Sequence, residues 1–94
     1  MVVWDEKKRK KVLENHAVDF AQILDVFEDA FSFDFVDHEH STDTEVRFGL
    51  IGRSARYGLI FVVYSIEGDD VRLITSRKAE KWMVTVYEEN RRRF

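Results

Sequence analysis

The stretch Gly58-Leu59-Ile60-Phe61-Val62-Val63-Tyr64-Ser65-Ile66 constrains this chain more than any other. It is nearly continuously apolar, without the polar alternation of a strand wetted on one side. It therefore reads as a central strand covered on both faces. Its apolar core, Leu59 to Tyr64, is far too short to span a bilayer. The cover must come from the rest of a 94-residue chain, too short for two ordinary domains and long enough for one, which spans 1–94.

The neighbouring segments supply candidates for that cover. Glu67-Gly68-Asp69-Asp70 has turn chemistry, so Val71 to Ser76 should return as a hairpin partner. Thr44 to Ile51 alternates with Val46, Phe48 and Leu50 on one side, and Phe31 to Val36 alternates aromatic with polar residues. Both read as strands, joined by the polar loop 37–43. Val2-Val3-Trp4 is a short apolar edge. Asp5 has the position of an N-cap for a basic helix over residues 6–15, anchored by Trp4, Val12 and Leu13. Phe20, Ile23, Leu24 and Phe27 fall at i, i+3, i+4 and i+7, which predicts a second helix over 18–29. A last helix fits 78–90, with Ala79, Trp82, Met83 and Val86 on one face. The order β-α-α-β-β-β-β-α predicts an antiparallel α+β domain.

Charge is strongly segregated. Residues 17–45 carry nine acids and no Lys or Arg, whereas residues 46–66 carry three arginines and no acid. The formal net charge of −3 does not exclude RNA binding if the bases gather on one face. There is no cysteine, hence no disulfide framework and no thiolate zinc site. Met1-Val2-Val3-Trp4 turns at once into charged residues, which leaves no room for a signal-peptide core. A soluble cytoplasmic protein without a membrane partner is the expectation. Glycine-rich phosphate loops, nucleophile elbows and paired-acid signatures are missing from the sequence. His38-Glu39-His40 places two imidazoles around a carboxylate, but most short acidic loops of this kind bind nothing, and no metal site is expected.

Three groups of residues form one ordered pattern. The first is Trp4-Asp5 with Lys8, Leu13, His16, Val18, Phe20 and Val26-Phe27. The second is Arg47-Phe48, Ile51-Gly52, Ser54 and Gly58. The third is Arg72-Leu73-Ile74-Thr75-Ser76-Arg77-Lys78-Ala79 with Tyr87. In order and spacing they resemble the opening, middle and end of the BrnT family of ribonuclease toxins, over roughly residues 3–89. The resemblance implies a RelE-like twisted antiparallel sheet with two N-terminal helices and one C-terminal helix. It also implies a type II toxin–antitoxin endoribonuclease that cleaves RNA, stops translation and is neutralised by a BrnA-like antitoxin. It leaves open a higher-order toxin–antitoxin complex. Three positions depart from the family. Val12 stands where Asn is common, His16-Ala17-Val18 replaces His-Gly-Val, and Met83 stands where a Glu is usual. The last removes an ionisable group from the presumed active face. It motivates an alternative, a catalytically weakened binding module that acts through an antitoxin complex.

RNA can be cut without metal or cofactor when its own 2′-hydroxyl attacks the adjacent phosphate. The protein must then move protons and stabilise the phosphorane charge. Arginine suits the second task, because its planar fork matches two phosphate oxygens. With the resemblance, Arg77 is the first candidate and Arg72 the second. His16 is the candidate for acid–base work, although a histidine at a helix C-terminus more often bonds the last carbonyls. Lys8 and Tyr87 complete the catalytic set. Lys8 sits in a run of bases that usually forms a solvated face, and for Tyr87 core packing is an equal reading. Lys78 at a helix start, Arg53 and Arg56 are the RNA-binding candidates. Arg91-Arg92-Arg93 is expected to be a mobile tail with weak attraction for RNA.

Overall fold

The computed structural model describes residues 1–93. Five strands form one mixed sheet in the order β1-β5-β4-β3-β2, with β4 (Gly58–Glu67) at its centre. β3 (Phe48–Ser54) and β5 (Asp70–Lys78) flank β4 antiparallel, and β2 (Phe33–Val36) pairs antiparallel with β3. Ile60 to Ser65 are all buried, so β4 is covered on both faces as its apolar run requires. The sheet is not wholly antiparallel, however. β1 (Val2–Val3) lies parallel to β5, where Val2 and Val3 pair with Val71 and Arg72. Two residues suffice to occupy the outer edge of β5 before the chain leaves into helix α1 (Glu6–His16).

Each face has its own core. On one, Val12 of α1 packs with Phe20, Ile23, Val26, Leu50, Ile60, Val62, Tyr64 and Leu73. On the other, helix α2 (Lys81–Arg92) lays Met83 and Tyr87 over Ile51, Phe61, Val63 and Ile74. Asp5 caps α1 as anticipated, accepting the Lys7 amide at 2.7 Å. Leu13 is no anchor, being 44% exposed. Trp4 instead meets Phe20 edge-on, with ring centroids 6.2 Å apart.

The second N-terminal helix does not form. Residues 20–28 make two short 3-10 turns, Phe20–Gln22 and Leu24–Glu28, leaving one N-terminal α-helix rather than two. At three residues per turn, i, i+3 and i+6 fall in line. Accordingly Phe20, Ile23 and Val26 are fully buried, while Leu24 is 39% exposed. The acids of this segment explain the choice. Asp19 caps the first turn, while Asp25 and Asp29 accept the backbone N–H groups of Ala55 and Arg53 at 2.8 Å each. Those bonds tie the segment to the far end of β3, which a continuous helix would not reach in the same register.

Two other boundaries move. β3 begins at Phe48 rather than Thr44, because Ser41 folds residues 41–47 into a loop. Its hydroxyl donates to the Asp37 carbonyl at 2.6 Å and accepts the Arg47 amide at 2.9 Å. The C-terminal arginines are also not a tail. Arg91 and Arg92 close α2, and Arg91 is paired with Glu88 at 2.8 Å.

Candidate functional site

Register places the arginines of β5. Arg77 lies opposite Phe61, Thr75 opposite Val63, and Arg72 opposite Ser65. Consecutive Val63 and Tyr64 pair with Thr75 and Leu73, so Ile74 is an extra, bulged residue in β5. Because β4 side chains alternate, Arg72, Thr75 and Arg77 share the face that also carries α2. That face bears two clefts, one around each arginine.

The first cleft, of about 340 Å³, brings Lys8 of α1 together with Arg72 and with Arg47. α1 packs against β5, and from there Lys8 lines the cleft. Acids balance the three bases, since Asp5, Glu45 and Glu67 line the same cleft. Glu45 holds Arg47 at 2.7 Å, and Glu67 approaches Arg72 at 3.5 Å. Lys8 has no ion pair among the described residues. The backbone of Arg47 is fixed from both sides, because its carbonyl accepts the Asp37 amide at 2.8 Å. Sequence reasoning passed over Arg47 as a site residue. No pattern in the sequence marks it, because Arg47 precedes β3 and is placed by the loop that Ser41 holds.

The second cleft, of about 150 Å³, surrounds Arg77 with Phe35, Asp37, Glu39, His40, Phe61, Trp82 and Met83. Arg77 lies 5.2 Å over the Phe61 ring and is ion-paired with Glu80. That guanidinium, followed by the Trp82 indole, holds the Glu80 carboxyl below the usual carboxylate range. Phe35 stacks on Phe61 at 6.0 Å across Gly49. A Cβ at Gly49 would lie 2.6 Å from one ring and 2.8 Å from the other, so the stack requires glycine. Asp37 is buried and accepts from His40 twice, from its backbone N–H at 3.3 Å and at Nδ1 at 2.7 Å. Ligand atoms of Asp37, Glu39 and His40 lie within 4.8 Å of one another. Met83 is 1% exposed, and its sulfur accepts the Glu80 amide at 3.4 Å. It forms part of the core beneath the cleft rather than of an exposed active face.

The remaining candidates lie elsewhere. His16 is exposed in the last turn of α1, lines neither cleft, and precedes Ala17 in the left-handed conformation that ends the helix. The Tyr87 hydroxyl is buried and donates to Asp29 at 2.9 Å. Tyr87 therefore ties α2 to the end of the 3-10 segment and lines neither cleft. Arg53 stacks 5.7 Å over the Tyr87 ring and borders a larger cleft of about 490 Å³ whose charged lining is otherwise Asp25, Glu28 and Asp29. That sign of charge repels a phosphate backbone. Arg56 sits in the β3–β4 turn against Tyr57, and Lys78, opposite Ile60, points to the face away from Arg77. Lys78 ends a strand, not a helix start, because β5 runs three residues further than Val71–Ser76 anticipates at either end taken together.

The geometry thus offers Lys8, Arg47 and Arg72 in one cleft and Arg77 in a second, with an acid paired to each arginine. Known proteins of similar sequence and fold give this α+β chain its family. The family model described as "Ribonuclease toxin, BrnT, of type II toxin-antitoxin system" matches residues 4–82. The chain is also similar to the Brucella abortus ribonuclease toxin BrnT, whose crystal structure it matches with a TM-score of 0.65 at 26% identity. That match covers 85% of this chain and 96% of that one. No curated protein matches. The chain belongs to the BrnT family of type II toxin–antitoxin ribonuclease toxins.

Proposed function

We propose that this chain is a metal-independent endoribonuclease toxin that arrests translation in the cytoplasm until a BrnA-like antitoxin covers it. The observation that carries the reading is the convergence of Lys8, Arg47 and Arg72 in one cleft, with Arg77 further along the same face. A phosphate backbone drawn across that face would replace Glu45, Glu67 and Glu80 as the partner of each guanidinium. Arg77 then stabilises the charge that develops on phosphorus after 2′-hydroxyl attack. The RelE-like part of the reading rests on the sheet having α1 packed on one face and α2 on the other. Among the described residues no helix is long and apolar enough to cross a membrane.

Purified protein incubated with bulk RNA in EDTA tests the reading. Full-length RNA should disappear, and Arg77→Ala should slow its loss by on the order of 100-fold, about 2.7 kcal/mol, with an unchanged circular dichroism spectrum. Intact RNA at high protein concentration would instead support the weakened binding module. The apolar Met83 in the cleft floor is the observation that favours that second reading.

A further inference from the structure

We propose that the Asp37–His40 pair is the acid–base device of RNA cleavage, taking the role the sequence offers to His16. The inference rests on the ribonuclease reading and adds to it the group that moves the proton. His40 lines the same 150 Å³ cleft as Arg77, whereas His16 lies exposed at the end of α1.

The geometry is that of an oriented imidazole. An ionised carboxylate only accepts hydrogen bonds. The 2.7 Å contact from Asp37 Oδ2 to Nδ1 therefore places a proton on Nδ1 and leaves Nε2 free to accept one. Asp37 is 7% exposed, so its orientation is fixed by packing. Its other oxygen accepts the His40 amide at 3.3 Å, and its carbonyl accepts the Ser41 hydroxyl at 2.6 Å, so the histidine is held at both backbone and ring. The His40 side chain is 37% exposed, open enough to meet a substrate. Trp82, 52% exposed on the cleft rim, offers a face on which an unpaired base can stack. The substrate is thus single-stranded RNA, with a scissile phosphate between His40 and Arg77.

The step balances without an oxidant or a co-reactant. Nε2 takes the 2′-hydroxyl proton as the oxygen–phosphorus bond forms. The bond from phosphorus to the 5′-oxygen breaks, that oxygen takes a proton from solvent, and the imidazolium returns its own to water. The products carry a 2′,3′-cyclic phosphate and a 5′-hydroxyl. A divalent cation among Asp37, Glu39 and His40 is the competing use of these groups. Both Asp37 oxygens are already engaged by His40, and the Arg77 guanidinium lining the same cleft repels a second cation.

The test follows cleavage of one defined single-stranded RNA in EDTA by wild type, His40→Ala, His40→Asn and His38→Ala, with end-group analysis. The expected result is cyclic phosphate ends and a loss of about 100-fold or more in both His40 variants. Added imidazole should partly restore His40→Ala, while His38→Ala, an exposed neighbour on the same loop, stays within about twofold of wild type. His40→Asn keeps an amide donor at the Nδ1 position toward Asp37 but cannot carry the proton, so it separates chemistry from folding. If wild type cuts and both His40 variants cut equally well, the inference falls while the ribonuclease reading stands. Cleavage abolished by EDTA and restored by a divalent cation would assign the cluster to metal and also overturn it. Wild type that cuts no RNA removes the ribonuclease reading, and the inference with it.

Discussion

Ala17 shows how one methyl group carries a family signature into energetics. It closes α1 at φ 56°, and its amide donates to the Leu13 carbonyl at 2.9 Å. Left-handed backbone is unstrained only for glycine, the residue the family pattern has between His16 and Val18. Ala17→Gly should therefore raise stability by about 1 kcal/mol, read as a higher denaturant midpoint with unchanged slope. An unchanged or lower midpoint would mean that chain entropy outweighs relief of strain. Tyr87 makes the opposite point. Its hydroxyl reaches a carboxylate that also accepts the Arg53 and Phe31 amides, so Tyr87→Phe should cost about 2 kcal/mol. RNA cleavage per folded molecule should stay the same. A fall in that specific activity without a fall in melting temperature would return Tyr87 to the site.

At the scale of elements, the acidic segment 17–45 reads differently in three dimensions than along the chain. Four of its nine carboxylates, those of Asp19, Asp25, Asp29 and Asp37, accept backbone N–H groups and so act as caps. Burial pushes the Asp29 carboxyl up, but the Arg53 and Phe31 amides and the Tyr87 hydroxyl together outweigh it and hold the carboxyl below its ordinary value. The Arg9 guanidinium, bonded at 2.7 Å, likewise holds Asp19 down. A group whose pKa is lowered by folding contributes stability above its unfolded value, near 4, and loses it as pH falls further. The melting temperature should thus drop below about pH 4, and Asp29→Asn should flatten that acid limb while lowering stability at neutral pH. An acid limb of unchanged slope in Asp29→Asn would show that other carboxylates set it. The same caps explain why the 3.6-residue period misled. Phe20 and Ile23 fit both a helix and a 3-10 turn, and only the burial of Val26 in place of Leu24 separates them. Local periodicity could not register bonds from Asp25 and Asp29 to a strand end more than twenty residues away.

Across the whole molecule, the sheet was legible wherever a pattern was long. The apolar run of β4, the turn before β5 and the N-cap at Asp5 all fold as read. The parallel pairing of β1 with β5 was not, because two residues carry no directional signal and the partners, Val2 with Val71 and Val3 with Arg72, lie far apart in sequence. The site was legible as residue types rather than as groupings. The motif strand supplied Arg72 and Arg77 and the first helix supplied Lys8. Arg47 and His40 acquire meaning only once the 37–47 loop folds against β5. Acids dominate the larger cleft around Arg53, apart from Lys8, Arg47 and Arg72, whose own cleft is balanced in charge. If those three form the RNA track, their removal should matter far more than the loss of any other surface cation. The direct measurement is the rate of RNA cleavage by Lys8→Ala, Arg47→Ala and Arg72→Ala beside Lys11→Ala, an exposed base on the same helix as Lys8. The account predicts losses of about 10-fold or more for the first three, shrinking as salt rises, and less than about twofold for Lys11→Ala. Equal rates in all four variants, or equal losses in all four, would contradict it.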